Sequence, residues 1–218
     1  MSLVQTTVTQ AKPGRLHDAI AIGIEASKLL ERHGADDNRL LVAQMAGEQT
    51  GTHVFTTEFE NGEAWGAFND SLLADAELEA LMTRVQRDDS PVTVLSMSIG
   101  NEIPLGRNGP SDRGAVVEAY ISRALPGRFE SALELASGVF DFIEAHGGSR
   151  CRLMQMNSAG MLTEALVASW ELENMRALGR LGDAFANEPD GQRIAATLTA
   201  SDGPITTISS GIYVEVPL

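Results

Sequence analysis

Ala11-Lys12-Pro13-Gly14-Arg15 occurs a second time, 113 residues later, as Ala124-Leu125-Pro126-Gly127-Arg128. Further segments match at the same offset without a gap. They are Glu31-Arg32-His33-Gly34 with Glu144-Ala145-His146-Gly147, Glu58-Phe59-Glu60-Asn61 with Glu171-Leu172-Glu173-Asn174, and Pro104-Leu105 with Pro217-Leu218. Self-similarity at one fixed offset indicates that a single folding unit is used twice.

The duplication divides the chain into three parts. We predict a first repeat over 4–105, a second repeat over 117–218, and a linker over 106–116, where the Gly-, Asn- and Pro-containing sequence is typical of a connection. Both repeats are acidic, so the excess negative charge does not come from a tail.

Each repeat predicts the element order β-α-β-β-α-β. A β-branched run ending at Pro-Gly predicts a strand, and apolar residues spaced three and four apart then predict a helix. That helix is expected to end at Gly34 and Gly147, because glycine tolerates a left-handed backbone. Two strands form a predicted hairpin, and Asn61 and Asn174 are expected to cap a second helix before a last strand. This is the split order of ferredoxin-like units, in which an antiparallel sheet buries one face under two helices.

These residues resemble a known superfamily. Three features are similar to the dimeric α+β barrel superfamily. They are a first strand ending in Pro-Gly-Arg, a later strand ending in Glu-Phe-Glu-Asn or Glu-Leu-Glu-Asn, and a helix running into Ala74-Asp75-Ala76-Glu77-Leu78 or Asn187-Glu188-Pro189-Asp190-Gly191. Its NIPSNAP-like and antibiotic-biosynthesis-monooxygenase-like domains are the nearest. The matching residues are packing and turn residues, so the resemblance is specific for the fold and weak for the activity.

The resemblance implies an α+β barrel of two ferredoxin-like units packed sheet to sheet. In the superfamily the two units usually come from a homodimer, whereas the duplication implies that one chain supplies both. We therefore expect a monomeric pseudo-dimer that can still associate through its outer surfaces. The superfamily includes cofactor-free monooxygenases, lactone isomerases, haem-dependent enzymes and members without known activity, and no catalytic residue is carried over from it.

Composition narrows the range of partners. The 218 residues include 30 Asp and Glu against 16 Lys and Arg, a net charge of −14, which disfavours nucleic acid and anionic membranes. No apolar run approaches the roughly 20 residues of a membrane span. The lone Cys151 requires no oxidising compartment, so we expect a cytoplasmic protein. No His/Cys cluster predicts a metal site, and we expect no cofactor.

Strand alternation predicts which side chains face the helices and which face the barrel lumen. On the third strand of each repeat the more apolar set is expected to face the helices; it comprises His53, Phe55, Thr57 and Phe59, and Leu166, Ala168, Trp170 and Leu172. The lumen is then expected to be polar. Its candidate ligand-binding residues are Tyr120, Asn157, Glu171, Glu58, Glu118 and Gln44.

Two of these carboxylates have alternative interpretations. Glu58 and Glu171 would form a general acid and base if burial separated their pKa values. Alternatively, they end strands just before an N-cap and bind solvent or backbone N–H groups. The second repeat carries the more versatile polar groups, because Tyr120 matches Thr7 and Glu118 matches Gln5.

The histidines and the cysteine have structural interpretations. His33 and His146 are expected to cap helix C-termini. His53 is interpreted as a buried histidine within an apolar set, and Cys151 as a structural residue.

Two functional hypotheses follow from the sequence. The first is an enzyme that binds or converts a small hydrophobic or aromatic molecule in the lumen, in the manner of a cofactor-free monooxygenase or isomerase. The alternative is a non-catalytic ligand-binding or stress-associated scaffold protein. An open, polar-lined cavity favours the first hypothesis and a filled one favours a scaffold.

Overall fold

A computed structural model describes residues 2–35 and 37–217 of the chain. The chain divides into two compact units. Unit 1 comprises the residues up to Glu102, together with Asn157–Met161 and the residues from Glu215 onward. Unit 2 comprises Ile103–Met156 and Leu162–Val214. Leu218, the expected end of the second repeat, lies outside the described residues.

Unit 1 contains a four-stranded antiparallel sheet and three helices. Its elements, in chain order, are β1 (Leu3–Ala11), α1 (Leu16–Arg32), β2 (Asp37–Met45), β3 (Thr52–Phe59), α2 (Gly62–Leu73), α3 (Ala76–Gln86) and β4 (Val92–Glu102). The strands are ordered β4-β1-β3-β2, so the first and third strands are central. This is the arrangement expected of a ferredoxin-like unit.

Unit 2 repeats the arrangement. Its elements are β5 (Val116–Ala124), α4 (Phe129–Ala145), β6 (Ser149–Ser158), β7 (Leu166–Leu172), α5 (Met175–Asn187), α6 (Pro189–Thr199) and β8 (Ile205–Val216). The strands are ordered β8-β5-β7-β6, and all the pairs within the unit are antiparallel.

The predicted helix boundaries are confirmed in both units. The side chain of Asn61 accepts the N–H of Ala64 at 2.9 Å, and that of Asn174 accepts the N–H of Ala177 at 3.0 Å. Gly34, with φ of 90°, follows the end of α1, and the matching glycine in unit 2 has φ of 87°. Both values lie in the left-handed region that favours glycine.

The second helical segment of each repeat differs from the prediction, because it forms two helices. In unit 1 Asp75 interrupts the segment and caps α3, accepting the N–H of Glu77 at 2.7 Å. In unit 2 Pro189 begins α6, since proline lacks the N–H that a continuing helix needs and suits a first turn.

Each unit has its own hydrophobic core between sheet and helices. In unit 1 the core is built around Phe59 and Phe68, whose ring centroids lie 4.7 Å apart. In unit 2 the core is larger and includes the fully buried Phe140 and Ile143 of α4. No helix in the described ranges has the length and apolar character needed to cross a membrane.

The segment between β4 and β5 is fastened to unit 2. Arg107 donates to the carbonyl of Ser137 at 3.0 Å and pairs with Asp141 and Glu144 on α4. Gly114 lies so close to β7 that an added Cβ would come within 2.5 Å of the backbone of Leu172. Only glycine fits there without displacing the strand.

Candidate functional site

A cavity of about 680 Å³ lies within unit 2, between the sheet and the helices α4, α5 and α6. Its volume is within the roughly 300–1,000 Å³ range of small-molecule sites. Most of the lining is apolar; among the lining residues, all within the described part of the chain, only Glu118 carries a charge. The other polar lining groups are the hydroxyls of Tyr120, Ser122, Thr199 and Thr207 and the indole of Trp170.

Glu118, Tyr120 and Trp170 form one hydrogen-bonded group on the cavity wall. Trp170 Nε1–H donates to Glu118 Oε2 at 3.0 Å, and the Tyr120 hydroxyl donates to the same carboxylate. The two aromatic rings stack with centroids 5.4 Å apart and an interplanar angle of 18°. The strand pairing brings the group together, because Glu118 lies directly opposite Trp170 on β5 and β7.

Burial changes the acid–base properties of this group. Desolvation raises the pKa of Glu118 above its ordinary value, and the hydrogen bonds from Trp170 and Tyr120 oppose the rise. Desolvation also raises the pKa of Tyr120, and the neighbouring carboxylate raises it further. The cavity therefore places a carboxylate of increased basicity in apolar surroundings, hydrogen-bonded to a tyrosine that keeps its proton.

The predicted lumen positions of Glu118 and Tyr120 are wrong. Cross-strand partners share a face, and Glu118 pairs with Trp170 while Tyr120 pairs with Ala168. Both side chains therefore lie on the helix-facing side of the sheet. The helix-facing assignment of the third strand itself is confirmed, because Trp170 and Leu172 belong to the core formed with α4 and α5.

The two carboxylates predicted as an acid–base pair lie on the other face, as expected. Glu171 is buried, accepts the N–H of Gly114 at 2.7 Å and lies 3.4 Å from Arg150. This bond holds the segment before β5 against β7. It agrees with the alternative interpretation that the carboxylate binds a backbone N–H group. Glu58 is half-buried and pairs across the sheet with Val4 and Asp37. Neither carboxylate lines the cavity of unit 2.

Asn157 and Gln44, the remaining predicted ligand contacts, are exposed near strand ends. The pairing of Leu40 with Phe55 and of Leu153 with Ala168 places the alternate positions of β2 and β6 on the helix-facing side. By the same alternation Gln44 and Asn157 fall on that side, so their lumen assignment is also wrong. Neither residue lines the cavity.

Several cavity residues were missed by reasoning from the sequence. They are apolar or small, and the most informative are Ala168, Leu178 and Gly182. A signal for them was present in the repeat, because unit 1 has the larger residues Phe55, Trp65 and Asn69 at the matching positions.

The histidines and the cysteine singled out in the sequence have structural roles or are buried. His33 and His146 are the C-cap residues of α1 and α4, as predicted. Their side chains bond to Asp75 at 2.6 Å and to the carbonyl of Phe142 at 2.7 Å. Burial raises the pKa of Cys151 to about 12, which makes it an unreactive thiol. His53 is buried with no hydrogen bond to either ring nitrogen.

The cavity lining does not fit a haem held by histidine, cysteine or methionine, since none of these residue types is among the described residues that line it. Its single tyrosine is already bonded to Glu118. Across the described residues, no group of three or more His, Cys, Asp or Glu is placed to hold a metal ion.

Comparison with known proteins identifies the fold. No family model matches the sequence, and no curated protein matches it. A chlorite dismutase-like protein of known structure is 10% identical with a TM-score of 0.60, covering 99% of this chain and 95% of its own. An anthrone oxidase-like protein is 13% identical with a TM-score of 0.62, covering 99% and 91%. A mutant chlorite dismutase from Candidatus Nitrospira defluvii is 9% identical with a TM-score of 0.56, covering 99% and 92%.

Proposed function

We propose a function for this chain, which has the fold of the dimeric α+β barrel superfamily, with two ferredoxin-like repeats in one polypeptide. A fold of this kind hosts unrelated activities, so function has to be argued from the site. The nearer relation to NIPSNAP-like and antibiotic-biosynthesis-monooxygenase-like domains stays a prediction.

We propose that the protein binds a small, largely apolar molecule in the cavity of unit 2 and converts it by proton transfer to Glu118. The observation that carries this proposal is a single buried carboxylate, with two hydrogen-bond donors, in an otherwise apolar cavity of about 680 Å³. The apolar wall supplies binding energy by removing ligand surface from water, at about 25 cal/mol per Å². The polar group fixes the orientation of the ligand.

Proton abstraction is the step that this arrangement favours. The raised pKa of Glu118 makes its carboxylate a stronger base, and the hydrogen bonds from Tyr120 and Trp170 hold that carboxylate in place at the cavity wall. Return of the proton to a second carbon atom completes an isomerisation without another reactant. Reaction of the deprotonated ligand with dioxygen is the corresponding step of a cofactor-free oxygenase. An anthrone oxidase-like protein has a similar fold, and its name refers to an oxidation, as in the second of these two chemistries.

The second candidate is a carrier that binds the molecule without converting it. It is favoured by the two donors that already hold Glu118, because hydrogen bonds to a carboxylate reduce its basicity. The two candidates share the cavity and differ only in whether the bound molecule is turned over.

Ligand binding in the cavity is tested with one variant that fills the cavity and a matched variant that does not. Gly182 and Gly179 both lie on α5, and a Cβ added at either meets no atom within 4 Å, but only Gly182 lines the cavity. A panel of small apolar and aromatic compounds is screened by thermal shift against the parent, Gly182→Leu and Gly179→Leu. We expect hits that Gly182→Leu loses and Gly179→Leu retains. Hits that both variants bind as the parent does would refute the cavity as the site.

Conversion is tested on the same hits. Each hit is incubated in air and under nitrogen with the parent and with Glu118→Gln, and products are detected by mass spectrometry. We expect product from the parent, and binding without product from Glu118→Gln. Binding without product from the parent would support the carrier instead of the enzyme.

A further inference from the structure

Unit 1 already contains an aromatic group at the place that corresponds to the cavity. Trp65 extends from α2 to the sheet, and its indole Nε1–H donates to Gln5 Oε1 at 2.8 Å. The ring also packs against the core of unit 1. A side chain of the protein thus occupies the space between helix and sheet and bonds to a polar group on the first strand.

The repeat gives the corresponding residues in unit 2. At the offset of 113, Gln5 corresponds to Glu118 and Trp65 to Leu178. The structure supports this correspondence, because Gln5 pairs with residue 57 on β3 and Glu118 pairs with residue 170 on β7, which are 113 positions apart. The capping asparagines of α2 and α5 also correspond and make the same bond.

Unit 2 keeps an acceptor on the first strand, which there accepts the N–H of Trp170 from the central strand, and lacks an aromatic side chain at the helix position of Trp65. Leu178 replaces the indole, and Ala168 replaces the aromatic ring of Phe55 on the central strand. Both smaller residues line the cavity. Trp170 and Tyr120 provide a stacked aromatic surface beside Glu118, against which a planar molecule can lie.

We infer that the cavity of unit 2 takes a planar, indole-type heteroaromatic molecule whose ring N–H donates to Glu118, as Trp65 donates to Gln5 in unit 1. The inference rests on the proposed function and names its ligand class. A carboxylate with two oxygens has about four acceptor sites, so the bonds from Trp170 and Tyr120 leave room for a third donor. A ligand with its own carboxylate or phosphate is disfavoured, because the cavity-lining residues that the structure describes include no basic side chain.

The N–H bond is tested with a pair of probes that differ at one atom. 3-Methylindole has the ring system of the tryptophan side chain, and 1,3-dimethylindole lacks its N–H. Binding to the full chain is measured by isothermal titration calorimetry. We expect 3-methylindole to bind at least about tenfold more tightly, because a hydrogen bond to a charged group is lost with the methyl group.

Substitutions at Glu118 separate the hydrogen bond from the steric effect of the added methyl group. Glu118→Gln introduces the residue of unit 1 and keeps an acceptor, so the preference for 3-methylindole should persist. Glu118→Leu removes the acceptor, and the ratio of the two affinities should fall to about one. A preference that survives in Glu118→Leu would overturn the inference.

A second pair of variants tests the position of the ligand. Leu178→Trp places an indole where unit 1 has one and should abolish binding of both probes while the protein remains folded by circular dichroism. Met175→Trp adds an exposed indole to the same helix, away from the cavity lining, and should bind as the parent does. Unchanged binding by a folded Leu178→Trp protein would overturn the inference.

The outcomes distinguish this inference from the proposed function. Equal affinity for the two indoles, or binding of other panel compounds but of neither indole, overturns the indole class and leaves the cavity site intact. Failure of every compound to bind the parent protein overturns both.

Discussion

Replacing His53 by leucine should stabilise the protein. His53 is 2% exposed, and within residues 2–35 and 37–217 neither of its ring nitrogens has a hydrogen-bond partner. Leu166, its counterpart in unit 2, is also 2% exposed, so leucine suits this position in the repeat. A buried polar group without a partner costs about 1–3 kcal/mol. His53→Leu should therefore raise the free energy of unfolding by about 1–3 kcal/mol, or the melting temperature by about 3–10 °C for a chain of this size.

The stabilisation of the protein by His53→Leu should increase as the pH falls. Burial lowers the pKa of His53 from its ordinary value of 6.5. Between the lowered pKa and 6.5 the unfolded chain binds more protons than the folded one, so acidification destabilises the parent through this residue. Leucine removes that contribution.

Urea unfolding at pH 8 and at pH 5.5 measures both effects. The exposed His17→Leu is the matched control and should change the unfolding midpoint little. A His53→Leu protein that is no more stable than the parent, with the same difference at both pH values, would show that the imidazole is satisfied in solution and would refute the reasoning.

Three further predictions follow from individual groups. Hydrogen bonds to the carbonyl of residue 142 and to Glu188 raise the pKa of His146. Protonated His146 therefore stabilises the fold below pH 6.5, and this stabilisation is lost as the pH rises through the raised pKa. An NMR titration should show a lower His146 pKa in Glu188→Gln than in the parent. With its pKa near 12, Cys151 should react with a thiol reagent at pH 8 far more slowly in the folded protein than in urea, and equal rates would contradict its burial. Gly114→Ala should lower the free energy of unfolding by about 1–3 kcal/mol, because the added Cβ meets the backbone of β7. Gly182→Ala should raise it by up to about 1 kcal/mol, because alanine favours the helix α5. Thermal melts that rank the two variants in the opposite order would refute this.

The fold could be predicted because its signals are local and occur twice. The signals are the matching Pro-Gly-Arg turns, the capping asparagines and the glycines after α1 and α4. Each of them favours one local backbone conformation, and each occurs in both repeats. The extra helices α3 and α6 were missed, because a cap such as Asp75 lies inside what reads as one continuous amphipathic pattern. Whether such a pattern bends depends on the core beneath it.

The site could be predicted only in part. Tyr120 and Glu118 were selected because they differ from their partners in the first repeat, and both line the cavity. Their face was assigned wrongly, because alternation along one strand does not fix its register against the next, and a shift of one residue exchanges the faces. The cavity itself depends on small residues such as Ala168, which carry no chemical signal of their own. Comparison with Phe55 in the first repeat is what makes Ala168 informative.

The tryptophan between α2 and the first sheet has a consequence for how the two halves respond to conditions in the cell. The Trp65 side chain is part of the chain, so unit 1 needs no bound molecule to fill the space between α2 and its sheet. Unit 2 lacks that built-in occupant, and a ligand at 100 times its dissociation constant would stabilise it by about 2.7 kcal/mol. The stability of unit 2 should therefore depend on the concentration of the molecule that it binds, whereas the packing between α2 and the sheet of unit 1 should not.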